Sequence, residues 1–365
     1  MNVVIVGAGR IGMATASLVR QYLKHKCIII DADEKALEAA RHPVLTVDPQ
    51  VEFHLALSKD VLEAKIKAAD PFVVVCSTPF HVNITVAGIC ARLNCHYIDF
   101  TEDVSVTKAV TEMHPNRSTF VLQTGLAPGL VTMVGMDLLD QLKEIGDVVP
   151  QILKMRVGAL PLVGDLPSAY ALTWSSHGLI NEYYQPVERI VGWKVEHDEP
   201  LSDLEHLMVD GTQLEAFNTS GGLGAPKMYL DRNLMEADYK TLRYPGHLEF
   251  LEKKLVSPLA GLEGLDRIKE GVKIVEQLFP FTNQDVVYMM VRAQGVQAGT
   301  SRIHERSFLK KFYPRHGLTA LELTTAGTGV MVISELMNAT LQHGIVFGGE
   351  VPLDMHSKLW FDLFG

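Results

Sequence analysis

Apolar and polar positions alternate on two different periods along this chain, and the period changes about a third of the way in. Short apolar runs at 2–6, 27–30, 72–76, 95–100 and 119–123 each end at Gly, Asp, Ser or Thr and predict strands. A weaker run at 43–47 predicts one more. Between them, residues 10–23, 34–40, 59–69, 81–92 and 104–113 place apolar side chains at helical spacing. Strands alternating with helices predict an α/β fold, a doubly wound parallel sheet covered on both faces. The sequence Gly125-Leu126-Ala127-Pro128-Gly129 then punctuates the chain. Beyond it, 151–157, 185–195, 204–209 and 286–293 read as strands, several with polar–apolar alternation, and 248–254 and 265–278 read as helices. This predicts an α+β second domain on a mixed or antiparallel sheet, a surface suited to dimerisation. A long helix at 320–341 follows, and its Thr324-Thr325-Ala326-Gly327-Thr328-Gly329 permits close packing. The expected domains are 1–125, 126–318 and a C-terminal segment 319–365 returning to the first.

Gly7-Ala8-Gly9-Arg10-Ile11-Gly12 is a GxGxxG run, and its position between a strand and a helix gives it chemical meaning. Gly7 permits a tight turn, Gly9 lets the backbone approach a pyrophosphate, and Gly12 lets the helix pack on the strand. The helix beginning near Arg10 offers unpaired N–H groups to phosphate oxygens. Asp31 closes the second strand, with Ala32 and Asp33 after it. A carboxylate there accepts from adenosine ribose hydroxyls and repels a 2′-phosphate, so NAD is favoured over NADP. This is a Rossmann dinucleotide-binding pattern. Ser77-Thr78-Pro79, after the strand at 72–76, is expected along the cofactor at the carboxyl edge of the sheet; a plain turn into a helix is the alternative.

Composition narrows the remaining classes. The chain has 365 residues, enough for two domains, and carries a formal net charge of -10. With no dense Lys/Arg stripe, a nucleic-acid partner is not expected. No apolar stretch has the length of a membrane span or a signal peptide, so a cytoplasmic, non-membrane protein is expected. The 4 cysteines, Cys27, Cys76, Cys90 and Cys95, form no CxxC pair or zinc-type spacing and are read as structural thiols, with no metal site.

Three later segments stand out: Gly125–Gly129, Thr173-Trp174-Ser175-Ser176-His177-Gly178, and Thr241-Leu242-Arg243-Tyr244-Pro245-Gly246-His247. Their order and spacing, together with the glycine loop, resemble the saccharopine dehydrogenase-like family, and most of all its lysine 6-dehydrogenase branch. Leu179-Ile180-Asn181-Glu182-Tyr183 continues the second motif, and Thr219-Ser220-Gly221-Gly222-Leu223 is similar to a further family loop. The resemblance implies a nicotinamide-dependent oxidoreductase acting at a C–N bond of an amino acid or amine, as a homodimer or homotetramer. Imine-reducing branches of the same family, and a non-catalytic dinucleotide sensor, are the other readings. Where the family has Pro-Arg after Trp-Ser, this chain has Ser176-His177, which puts lysine as the substrate in question.

Several side chains are candidates for the chemistry. Arg243, with Tyr244 beside it, is the candidate carboxylate anchor, against a structural ion pair. Asp99, at the end of a parallel strand, is a candidate partner for a substrate ammonium. Glu102 and Asp103 are balanced between that role and capping the next helix with Thr101. His177 and His247 are candidate acid–base groups, because imidazole titrates near neutrality. Thr173 and Trp174 are candidate pocket walls, and Trp174 equally a core residue.

Overall fold

A computed structural model describes residues 1–40, 48–162 and 170–365. The strand expected at 43–47 lies outside them. The chain divides into two compact units, residues 1–133 with 322–365, and residues 134–321.

In the first unit the elements run β1 (Asn2–Val6), α1 (Arg10–Leu18), β2 (Lys26–Asp31), α2 (Glu34–Ala40), β3 (Val51–Leu55), α3 (Lys59–Ala68), β4 (Val73–Cys76), α4 (Phe80–Leu93), β5 (His96–Asp99), α5 (Val104–Thr111) and β6 (Thr119–Leu122). Helix α1 continues as a π-helical turn over Val19–Leu23, which accounts for the longer helix expected at 10–23. Fully buried aliphatic runs such as Val3–Ile5 and Val73–Val75 are what a sheet covered on both faces requires.

Helix α6 (Leu130–Lys143) carries the chain into the second unit. There follow β7 (Val148–Pro161), α7 (Ser176–Tyr184), β8 (Val187–Val191), β9 (Lys194–Asp198), β10 (Glu205–Val209), β11 (Thr212–Asn218), α8 (Lys227–Asp231), β12 (Glu236–Arg243), α9 (His247–Leu251), α10 (Gly264–Leu278), β13 (Asp285–Gln297) and β14 (Ile303–Phe312). Its sheet is ordered β10-β11-β12-β7-β13-β14, with β8 and β9 attached through β12, and is antiparallel except between β12 and β7. The single run expected at 185–195 is instead a hairpin, β8 and β9, turning at Gly192-Trp193, both with positive φ. The expected helix at 248–254 is α9 plus a π-helical turn over Glu252–Val256.

Helix α11 (Ala320–Met337) returns the chain to the first unit and stops four residues earlier than the sequence pattern suggests. Then come β15 (Gly344–Phe347) and α12 (Lys358–Phe364). The first sheet is thereby seven-stranded, β15-β6-β5-β4-β1-β2-β3, and parallel throughout. The small residues of α11 serve contact: a Cβ at Gly329 would meet the Phe100 ring at 2.8 Å, and one at Gly327 the Phe364 ring at 2.9 Å. This is tight packing, with no second phosphate loop. Among the described residues no helix is long and apolar enough to cross a membrane, no acid, His and Cys cluster could hold a metal, and all 4 cysteines are free and buried.

Candidate functional site

In the first unit the glycine loop links β1 to α1. Gly7 has φ 108°, a left-handed conformation, and a Cβ there would sit 2.7 Å from the Ser77 carbonyl oxygen. At Gly12 a Cβ would lie 2.0 Å from the Gly7 carbonyl oxygen, so only glycine lets α1 come this close. At Gly9 a Cβ would meet nothing within 4 Å. Two glycines are thus fixed by packing and the third opens outward, where α1 begins with backbone N–H groups that no carbonyl of its own helix can reach. That arrangement fits a dinucleotide pyrophosphate. Ser77 braces the loop, donating its hydroxyl toward the carbonyls of Val6 and Gly7, both at 3.1 Å. Thr78 turns inward to Asn83 Oδ1 at 3.3 Å, and Pro79 precedes α4 as its cap.

Asp31 accepts from Ala8 N at 2.6 Å and from Asp33 N at 2.8 Å. Its carboxylate is thereby fixed against the glycine loop, with Ala32 at the turn between. Arg10 points its Nε at Glu322 Oε1, 2.7 Å away, in the first turn of α11.

Asp99 ends β5 with its side chain fully buried. Oδ1 accepts from Gln123 N at 3.0 Å, and its backbone carbonyl accepts from Thr124 N and Oγ1 at 2.9 and 2.6 Å. Oδ2, the Tyr97 hydroxyl and Gln123 Oε1 are buried without a hydrogen-bond partner among the described residues. Burial pushes the Asp99 carboxyl up to about 6, opposed by the Gln123 N–H. Asp103 caps α5, accepting from Val106 N at 2.9 Å, and Thr101 Oγ1 accepts from Asp103 N. For Asp103 the capping alternative is therefore what the geometry contains.

In the second unit the motif residues converge on a buried polar network. Arg243 closes β12 and is 3% exposed. Its Nε and one terminal nitrogen donate to the Tyr183 hydroxyl at 3.1 and 2.9 Å; the other donates to Leu242 O at 2.9 Å. Glu182 Oε2 stands 3.5 Å from the guanidinium, and Tyr170 presents its ring face to it at 4.7 Å. Glu182 Oε1 accepts from Thr219 at 3.1 Å and from Thr241. The His247 ring, wholly buried, lies with Nε2 3.3 Å from the Tyr183 hydroxyl and packs on Tyr170 and Phe279. His247 holds this place because the Pro245-Gly246 turn, with Gly246 at φ 90°, starts α9. Glu215 stands in for the missing cap, accepting from Gly246 N at 2.8 Å and Leu248 N at 2.7 Å.

The structure thus brings Arg243 and His247 together through Tyr183, a residue of the second motif to which the sequence pattern assigns no role. Glu182, Tyr170 and Glu215 are likewise unassigned by it; the Glu-Tyr pair closing the second motif is the available signal. His177 stands apart, exposed in the first turn of α7, whose cap is Ser175. Tyr244 is turned away, donating to Pro161 O at 2.9 Å. Trp174 lies over Gly178, where a Cβ would be 2.3 Å from its ring. Thr173 is buried.

Comparison with known proteins gives the family and the fold. Residues 3–121 match the saccharopine dehydrogenase NADP binding domain, and residues 125–355 the saccharopine dehydrogenase C-terminal domain. The mitochondrial alpha-aminoadipic semialdehyde synthase of Bos taurus is 25% identical over 151 residues, 40% of this chain and 16% of that protein, so the chain spans about a sixth of that relative's length. The apo histidine-tagged saccharopine dehydrogenase (L-Glu forming) of Saccharomyces cerevisiae matches with a TM-score of 0.73 at 14% identity, over 96% of this chain and 95% of that one, which shows a shared fold. The chain belongs to the saccharopine dehydrogenase family, with a Rossmann domain built for a nicotinamide dinucleotide.

Proposed function

We propose that the protein is an NAD-dependent dehydrogenase acting on a C–N bond of an amino acid or related amine, similar to lysine 6-dehydrogenase. The observation that carries this reading is the buried Glu182–Arg243 pair, set in one chain with a glycine cradle open at Gly9. Opposite charges 3.5 Å apart complement the carboxylate and ammonium of an amino acid. When bound, the dinucleotide supplies the hydride acceptor. It would rest its pyrophosphate on Gly7, Gly9 and the first turn of α1, and its adenosine ribose against Asp31. The family description names NADP for this domain. NAD is our reading because Asp31 is fixed where a 2′-phosphate would meet its charge, and no Arg follows it immediately.

The protein's own groups have three tasks. Arg243 and Glu182 orient the amino-acid head. The Tyr183–His247 pair holds a proton within the network, and its position fixes how the guanidinium is presented. His177, open to solvent, serves as the base that takes a proton from the amine, which must be neutral before a hydride can leave its carbon. Water then hydrolyses the imine, releasing ammonia and a carbonyl product.

A panel of amino acids and simple amines, each with NAD and NADP, tests this by the absorbance of the reduced cofactor. Turnover is expected to be faster for an amino acid than for the matching amine without a carboxylate, which Arg243 cannot anchor. The absence of turnover across the panel, in the oxidative direction and in reduction of amine–oxoacid mixtures, refutes the proposal.

A further inference from the structure

The Arg10–Glu322 ion pair is a contact that the dinucleotide pattern alone does not require. Arg10 is the first residue of α1, directly after the outward-opening Gly9, at the helix start that the proposed reading gives to the dinucleotide phosphates. Its side chain is 38% exposed, whereas Glu322 is 14% exposed. The carboxylate is thus the better shielded partner, and the cation the one that faces solvent. The two residues are 312 apart in sequence and meet at 2.7 Å through Nε, the inner nitrogen of the fork that grips phosphate most firmly. The turn after β2 is itself acidic: Asp31, Asp33 and Glu34 follow one another there, with Lys35 the cation of that stretch.

We infer that Glu322 is a specificity-determining residue for the dinucleotide: by holding the Arg10 guanidinium it keeps that cation from the adenosine 2′-phosphate, so the extra charge of NADP goes uncompensated. The inference rests on the proposed preference for NAD and gives it a second determinant beside Asp31. The physical content is a competition. A guanidinium whose Nε is held by a carboxylate meets a phosphate with its charge partly offset and one side of its fork engaged, and the carboxylate's own charge opposes the phosphate as well. Glu322 also lies in the first turn of α11, where an acidic side chain favours the helix irrespective of any ligand. Binding ratios separate the two roles, because a purely structural contribution affects both cofactors alike.

The experiment is a fluorescence titration of NADH and NADPH with four proteins: wild type, Glu322→Gln, Arg10→Ala and the double variant. Glu322→Gln is expected to tighten NADPH binding roughly 3–10-fold while NADH changes less than about twofold. Arg10→Ala in the Glu322→Gln background should erase the gain, since the Arg10 charge is its source. Equal tightening of both cofactors places Arg10 on the shared pyrophosphate and overturns the inference, as does a gain that survives Arg10→Ala. A thermal shift without any change in the ratio assigns Glu322 to the helix alone and overturns it too. If the wild type prefers NADPH from the outset, the NAD reading fails, while the effect of Glu322→Gln on the ratio still tests the coupling.

Discussion

Replacing Asp99 by asparagine should make the protein more stable at pH 8 and leave it unchanged near pH 4. An Asp in water titrates near 3.9, whereas burial holds Asp99 at about 6. Between these values the native state keeps a proton that the unfolded chain has released. Stability therefore falls as pH rises from 4 to 6, and above 6 the whole cost remains. That cost is about 3 kcal/mol. The introduced amide would still accept from Gln123 N through its oxygen. No charge would then need burying at any pH. Differential scanning calorimetry of both proteins at pH 4, 6 and 8 measures the gap, which should open from near zero to roughly 5–10 °C. A gap that stays constant across this range, or a variant that melts lower at pH 8, would show that burial does not hold the proton on Asp99.

Asp31→Ser with Ala32→Arg should weaken NADH and strengthen NADPH in titration, because it removes a carboxylate and supplies a phosphate partner; unchanged affinities would remove Asp31 from cofactor choice. Arg243→Ala should cost about 3–5 kcal/mol of stability by stranding Glu182 and Tyr183. Arg243→Lys should fold and raise KM for the amino acid while the Kd for NADH stays put, and an unaltered KM would argue against the anchoring role. His177→Ala should lower kcat for amine oxidation by removing the base while the Kd for NADH stays put; an unaltered kcat would set His177 outside the site.

The glycine loop was legible because its constraints are local. Strand, turn and helix are contiguous, and Gly7 and Gly12 answer to atoms fewer than seventy-five residues away, at Ser77 or within the loop itself. Strand β12 was not legible as a strand. Lys240, Thr241 and Arg243 are polar yet buried, which erases the alternation that marks a half-buried strand. Their burial depends on distant partners: Lys240 on Asp203 and Glu205, Arg243 on Glu182 and Tyr183. Lys240 and its register neighbour Arg156 are compensated there. Burial alone would raise the Glu205 carboxyl, but hydrogen bonds from both cations hold it down at about 2. Strand β14 is hidden in the sequence for the opposite reason: Glu305, Arg306 and Ser307 are all exposed, so the pattern breaks in the middle. The network around Tyr183 shares both problems, since a tyrosine and a glutamate on a short helix resemble an ordinary surface until β12 supplies their partner.

The parallel sheet of the first unit has a consequence for synthesis. Strand β6 is flanked on one side by β5, already made, and on the other by β15, whose residues emerge about 220 positions later. At ordinary translation speeds that delay is roughly 10–45 s. Throughout it, the outer row of amide and carbonyl groups on Thr119–Leu122 is an open template for any extended chain nearby. A ribosome-bound product halted before Gly344 would therefore present a sticky strand edge, which makes nascent chains of this length natural clients for a holding chaperone.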